Sequence, residues 1–184
     1  VNIGNGKHSL FEHTVIATAA LADAFIASGN RVGMLHYGQT LRWTFPGYGH
    51  VQRERIMQTL ARAEVGESSV FSDLIRIPSQ LFSINSQLVF VSPLQKDDYA
   101  SLLHLRARGY QVMVISPDPV SYELRSLPDN ANTRLAARIL GTERRMLMLR
   151  LQRAGIQALD WDVTLPLDRL IKTRLGRPPA WRNL

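Results

Sequence analysis

Two apolar runs of strand length, QLVFVSP at residues 87–93 and YQVMVISP at 110–117, constrain the fold more than any other feature of the chain. Neither alternates polar with apolar residues. A strand with one wet face alternates, whereas a strand covered on both faces reads as a continuous hydrophobic run, the mark of a parallel sheet lying between helices. Both runs end in Ser-Pro, where proline stops the ladder and turns the chain out of the sheet. Between them, Asp97 opens a helix that runs to Arg108 and stops at Gly109. Strand, helix and strand of this kind make a βαβ unit.

The flanking segments extend the pattern. Residues 1–9 are rich in Gly and Asn and read as a loop, after which Ser9 and Glu12 form a capping box for a helix from Leu10 to Ala27 ended by Gly29. Residues 31–38 and 40–45 read as two strands of a hairpin about Gly38-Gln39, broken by PGYG at 46–49. Helices are predicted over 50–64 and near 69–82, the second interrupted by Pro78. A loop over 118–130 contains Pro119 and Pro128, and the longest helix follows over 131–154, capped by Asn130 or Asn132 and ended by Gly155. Residues 157–163 form a last strand, PLDRLIKTRLG a short final helix, and RPPAWRNL an irregular end.

The sum predicts one α/β domain over 1–184, with a doubly wound, mostly parallel sheet flanked by helices and one antiparallel edge hairpin. One strand is missing. A right-handed crossover through the first helix needs a strand before it, so that strand lies upstream of Val1, or the loop of residues 1–9 takes its place.

Composition narrows the function classes. Cysteine is absent, which removes disulfides, thiolate metal sites and cysteine nucleophiles, and no stretch approaches the ~18 uninterrupted apolar residues of a membrane span. No charged segment followed by a hydrophobic core marks a signal peptide. Residues 1–133 hold 11 Lys+Arg against 11 Asp+Glu, whereas 134–184 hold 11 against 4, so the basic helix-strand-helix portion carries the whole charge of +7.

GNRVGMLHYG, preceded by an alanine-rich helix and followed by PGYGHVQRERIMQTLARA, resembles the von Willebrand factor A-like proteins called domain of unknown function 58. SQLVFVSPL, LRARGYQVMVISPDPVSYE and PLDRLIKTRLG fall where that family has its fourth strand, fifth strand and last helix, so the likeness spans roughly residues 6 to 175. The resemblance implies a protein-binding adaptor domain without chemistry of its own, not an enzyme, partnered by a MoxR-type AAA+ ATPase. It implies a cytoplasmic location, free or as the cytoplasmic portion of a membrane-anchored protein tethered outside this chain. Such domains bind a divalent cation through Asp-x-Ser-x-Ser after the first strand, a Thr on a neighbouring loop and an Asp after the fourth strand. Here the first motif lies upstream of Val1 or is replaced by residues such as Asn2 and Gly4, and Ser92-Pro93 stands where Ser-Asp is expected. Gly66 to Ser69 offers a hydroxyl in the threonine's place. No metal and no cofactor are therefore expected unless upstream residues complete the site. Asp97 and Asp98 either substitute as ligands or cap the helix and complement its dipole.

The binding edge expected from an open α/β sheet is its carboxyl end. On that basis loops 1–9, 46–50, 65–69, 93–97 and 117–123 form the partner surface, with Arg53, Arg55, Ser92, Asp97 and Asp118 as the contact candidates. Asp118 sits between two prolines and reads equally as a turn residue capping local amides.

Other constellations carry less. His8, His13, His36, His50 and His104 lack metal-ligand spacing, no G-x-S-x-G elbow occurs, and GNGKHS lacks the full phosphate-loop pattern. Arg134, Arg138 and Arg145 fall within roughly 40° on a helix, with Leu135, Ile139, Met146 and Leu149 to one side. That basic patch is a solvated face on a core-packed helix, or a docking surface for an acidic partner, nucleic acid or lipid headgroups. The alternative function is a basic nucleic-acid-binding module using residues 134–182, against which stands the lack of interleaved aromatics before Trp181.

Overall fold

A computed structural model describes residues 9–37, 41–65 and 82–167. Helix α1, Leu10–Ala27, starts as its sequence requires: Ser9 Oγ accepts from the Glu12 amide at 3.1 Å and Glu12 Oε2 accepts from the Ser9 amide at 2.6 Å. Strands β1, Val32–Tyr37, and β2, Leu41–Gly47, pair antiparallel, with Leu35 opposite Trp43. The register shifts between Val32 and Met34, where Phe45 and Pro46 oppose Gly33 alone, a β-bulge. The strand therefore continues through Pro46, past the break predicted there. Proline is tolerated because β2 has no further strand on its other side among the described residues. Glycine is required at position 33, since a Cβ there would lie 2.8 Å from Pro46 Cγ.

Helix α2, Gly49–Ala61, follows at once and is fastened to the bulge by Gln52. Its buried Nε2 donates to Val32 O at 2.6 Å and Phe45 O at 2.8 Å. The two carbonyls lie on opposite strands at the bulge, so Gln52 bridges β1 and β2 there.

The second half alternates strand and helix: β3 Gln87–Val91, α3 Asp98–Ala107, β4 Gln111–Pro117, α4 Pro119–Glu123, α5 Ala131–Arg153 and β5 Gln157–Trp161. The three strands form a parallel sheet in the order β3-β4-β5. One face, with Leu88, Val112, Val114 and Ala158, packs on Leu102 and Leu105 of α3 and Leu147, Met148 and Leu151 of α5. Leu102, Leu105 and Leu151 are wholly buried, and each contributes roughly 1.5–3 kcal/mol through burial. The opposite face, with Met113, Ile115, Leu159 and Trp161, packs on Ala17 and Leu21 of α1. β4 is buried on both faces and β3 is partly covered on both, which explains the unbroken apolar runs.

The α/β class and the parallel sheet stand as predicted, but the single sheet does not. Among the described residues the hairpin is a two-stranded sheet of its own, with no hydrogen bond from β1 to β3. Helix α1 spans both sheets, since Ala22 packs with Met34, Ile56 and Leu60 while Ala17 and Leu21 face the parallel sheet. Its 18 residues are also long and apolar enough to cross a membrane by length and composition, although Glu12, His13 and Asp23 interrupt the apolar run.

The predicted loop at 118–130 contains α4, a single turn started by Asp118 as N-cap and Pro119 at the first helical position. The turn at Gly38-Gln39, the helix near 69–82 up to residue 81, and the chain beyond residue 167, including Trp181, lie outside the described residues.

Candidate functional site

At the carboxyl end of the parallel sheet, β4 delivers Ser116, the N-cap of α4 just after it delivers Asp118, β5 delivers Asp160, and α5 delivers Arg144. Arg144 is only 8% exposed. Its Nη2 lies 2.7 Å from Asp160 Oδ1, 3.0 Å from both the carbonyl and the hydroxyl oxygen of Ser116, and 3.1 Å from Pro117 O. Its Nε meets Asp160 Oδ1 at 2.9 Å and lies 3.4 Å from Asp118 Oδ1. Ser116 Oγ, fully buried, also accepts from the Leu94 amide at 3.1 Å, which ties the loop after β3 into the same cluster. The planar guanidinium suits this role because it donates in several fixed directions and stays charged. The edge is thus closed by a cation whose two neighbouring carboxylates face it.

Asp118 does what the turn reading required: its Oδ1 accepts from the Val120 amide at 3.0 Å. Asp97 stands at the N-cap of α3 without a side-chain cap bond and is exposed. The expectation that Asp97 caps the helix is corrected, because its backbone is already helical there, and a capping side chain needs extended backbone to reach the amides. Asp98 instead turns inward and accepts from the Gln95 amide at 2.7 Å. Burial raises its pKa above the usual carboxylate value, the Gln95 hydrogen bond opposes that, and the charge of Asp97 adds to it. Ser92 continues the ladder, donating its amide to Ile115 O at 3.2 Å. Among the described residues no three His, Asp or Glu side chains converge as a metal site would need.

Arg53 and Arg55 do not join this edge. The first turn of α1 meets the last residues of both β1 and β5, with Phe11 6.5 Å from His36 and His13 6.2 Å from Trp161 between ring centroids. β1 therefore points the same way as the parallel strands, and its antiparallel partner β2 ends at the opposite edge, carrying the PGYG turn of loop 46–50 with it. There Arg53 forms a two-pronged ion pair with Asp23 of α1, at 2.7 and 3.0 Å, which raises its own pKa. Arg55 lines a concavity of about 600 Å³ on the outer side of β2 and α2 with Arg42, Arg62, Trp43 and Phe45. Trp43 and Phe45 are largely exposed. Loops 1–9 and 65–69 fall outside the described residues except for Ser9 and Val65.

Helix α5 departs from the expected core-packed helix. Its buried stripe is Arg144, Leu147, Met148 and Leu151, while Leu135, Ile139, Met146 and Leu149 face solvent, Leu135 at 56%. With Thr142 these exposed residues step by four and three along the helix, which holds them within roughly 40° of one line over four turns. Arg134, Arg138 and Arg145 flank that line on one side. Arg134 pairs with Asp129 at 2.6 Å, and Arg138 and Arg145 have no ion pair among the described residues.

Sequence reasoning missed Arg144 and Gln52. Both sit in phase with apolar neighbours, Arg144 with Leu147, Met148 and Leu151 and Gln52 with Ile56 and Leu60, and a long polar residue in the buried phase of a helix was the available signal. Comparison of the chain with protein-family models, curated proteins and solved structures returns no match.

Proposed function

We propose that this chain is a non-enzymatic interaction domain of von Willebrand A-like type that works with a MoxR-type AAA+ ATPase on the cytoplasmic side. The observation that supports the reading best is the outward seam of α5. Leu135, Ile139, Met146 and Leu149 form a heptad-spaced apolar line on the helix face opposite its core contacts, the arrangement by which one helix receives another. The arginines beside the seam favour an acidic partner helix over a second copy of α5, whose like charges would oppose them. The reading includes no resident metal or cofactor, since Asp118 and Asp160 both face the Arg144 guanidinium.

The test is direct binding of the purified ATPase, with ATP present, to this chain and to Ile139→Asp. The expected result is saturable binding that the substitution weakens at least about tenfold. No binding by the wild-type chain sinks the reading.

The alternative, a nucleic-acid-binding module using residues 134–182, draws on Arg138 and Arg145, which have no acidic partner among the described residues. It predicts affinity that falls steeply with salt through counterion release, against a weak salt dependence for a seam bound chiefly by apolar contact.

A further inference from the structure

The concavity beside β2 touches four consecutive residues of that strand, Arg42 to Phe45. Successive side chains on a strand point to opposite faces, so a cavity that meets every residue in a row abuts the strand's edge. Among the described residues β2 pairs with β1 alone, so this edge is a template for one more strand. Pro46 and the bulge at Gly33 end the template, which leaves Leu41 to Phe45 as its length. The two faces of β2 carry different chemistry here. Residues opposite each other across a strand pair share a face, so Arg42 and Thr44 lie with His36 and Met34, and Trp43 lies with Leu35. Met34 packs with Ile56 and Leu60 of α2, and Thr44 Oγ1 lies 3.1 Å from Thr59 Oγ1, so the first face is the one α2 covers. There Arg55 and Arg62 of α2 line the concavity with Arg42, and no carboxylate is among its lining residues. On the other face Trp43 and, by alternation, Phe45 are at least half exposed.

We propose that this edge binds an extended acidic segment of a partner protein as an added strand. Its acidic side chains turn to the three arginines, and its apolar side chains turn to Trp43 and Phe45. Main-chain hydrogen bonds supply affinity in this mode of binding, and alternate side chains supply specificity. A strand places one class of side chain on each of its faces, which matches an edge whose charge and aromatics lie on opposite sides. The recognised sequence is about five residues long and alternates acidic with apolar. A single-stranded nucleic acid combines stacking rings with a basic groove that tracks its phosphates, and here β2 stands between the two. A second copy of this edge would set arginine against arginine. The surface belongs to the hairpin and α2 and is independent of the α5 seam.

The test uses the 184-residue chain and two end-capped, labelled peptides of one composition, Glu-Val-Glu-Val-Glu-Val-Glu and Val-Val-Val-Glu-Glu-Glu-Glu. Fluorescence anisotropy is expected to show the alternating peptide binding at least about tenfold more tightly than the block peptide. Arg55→Glu combined with Arg62→Glu is expected to weaken the alternating peptide at least about tenfold. The urea midpoint of that variant stays unchanged, because both side chains are exposed and neither forms an ion pair among the described residues. Amides in 42–45 are expected to exchange about tenfold more slowly when the alternating peptide saturates the chain. No binding, equal affinity for the two peptides, or binding without protection in 42–45 overturns the proposal. Tighter binding of oligothymidylate than of the alternating peptide would give the surface to nucleic acid and also overturn it. So would protection that appears without peptide as the protein concentration rises, which would give the edge to a second copy.

Discussion

Arg144 Nη2 lies 2.7 Å from Asp160 Oδ1 and 3.0 Å from Ser116 O, so a single side chain of α5 fastens the ends of two adjacent parallel strands. Removing it leaves the fully buried Ser116 hydroxyl and two main-chain carbonyls without this donor, and Asp118 and Asp160 without their cation. Arg144→Ala is expected to destabilise the domain by about 2–3 kcal/mol, below the 3–5 of a fully buried pair because Asp160 is half exposed. Arg144→Lys recovers little, since an ammonium cannot reproduce the planar fork. Urea unfolding, read as a fall in midpoint at unchanged slope, checks both.

The bulge of the hairpin makes a sharper demand on one glycine than on another. At Gly33 an added Cβ meets Pro46 Cγ at 2.8 Å and its backbone nitrogen at 3.0 Å, and neither belongs to a flexible side-chain end. Gly33→Ala is expected to destabilise by about 1–3 kcal/mol. Gly141, inside α5 with nothing within 4 Å of its Cβ position, is expected to do the opposite. Gly141→Ala stabilises by about 0.5–1 kcal/mol because alanine is the better helix former. Thermal unfolding of the two variants side by side distinguishes them by the sign of the shift.

His36 gives the domain a pH dependence of defined sign. Burial, with the nearby Arg42 charge, pushes its pKa below the ordinary 6.5. The unfolded chain then binds the proton more readily than the folded one, so this stability is fully present above about pH 6.5 and is lost as pH falls from there through the lower folded value. Asp98 acts in the contrary sense within the carboxylate range. Its raised pKa means that its contribution improves as pH falls through that value. Replacing His36 with Phe is expected to flatten the fall in stability between pH 7.5 and about 5.5, measured by urea titrations at each pH, while Asp98→Asn leaves that window unchanged.

The parallel sheet was legible because β4 is buried on both faces and β3 is partly covered on both, and that cover is written as uninterrupted apolar residues from Leu88 to Val91 and Val112 to Ile115. The α1 capping box was equally plain, since Ser9 and Glu12 act on amides three residues apart. Long-range effects were not. Whether β1 joins β3 depends on an edge that local periodicity does not describe, and the direction of β2 moved Arg53 and Arg55 to the far edge from Asp118. Arg144 was not legible as a site residue, because its role depends on residues 16 and 28 positions away in the chain.

Helix α5 makes the last test a comparison of its two faces. Leu151 is wholly buried between sheet and helices, whereas Ile139 is 53% exposed on the opposite side. Leu151→Ala is expected to cost about 2–5 kcal/mol through the lost burial and the cavity left behind. Ile139→Ala is expected to change stability by less than about 0.5 kcal/mol, as for surface positions without a special role. A seam that exists for binding separates these quantities: Ile139→Ala leaves unfolding unchanged yet weakens a partner helix by about tenfold, in the range of a truncated interface anchor. Parallel denaturation and binding titrations measure this, and a loss of stability matching the loss of binding would make Ile139 part of the fold instead.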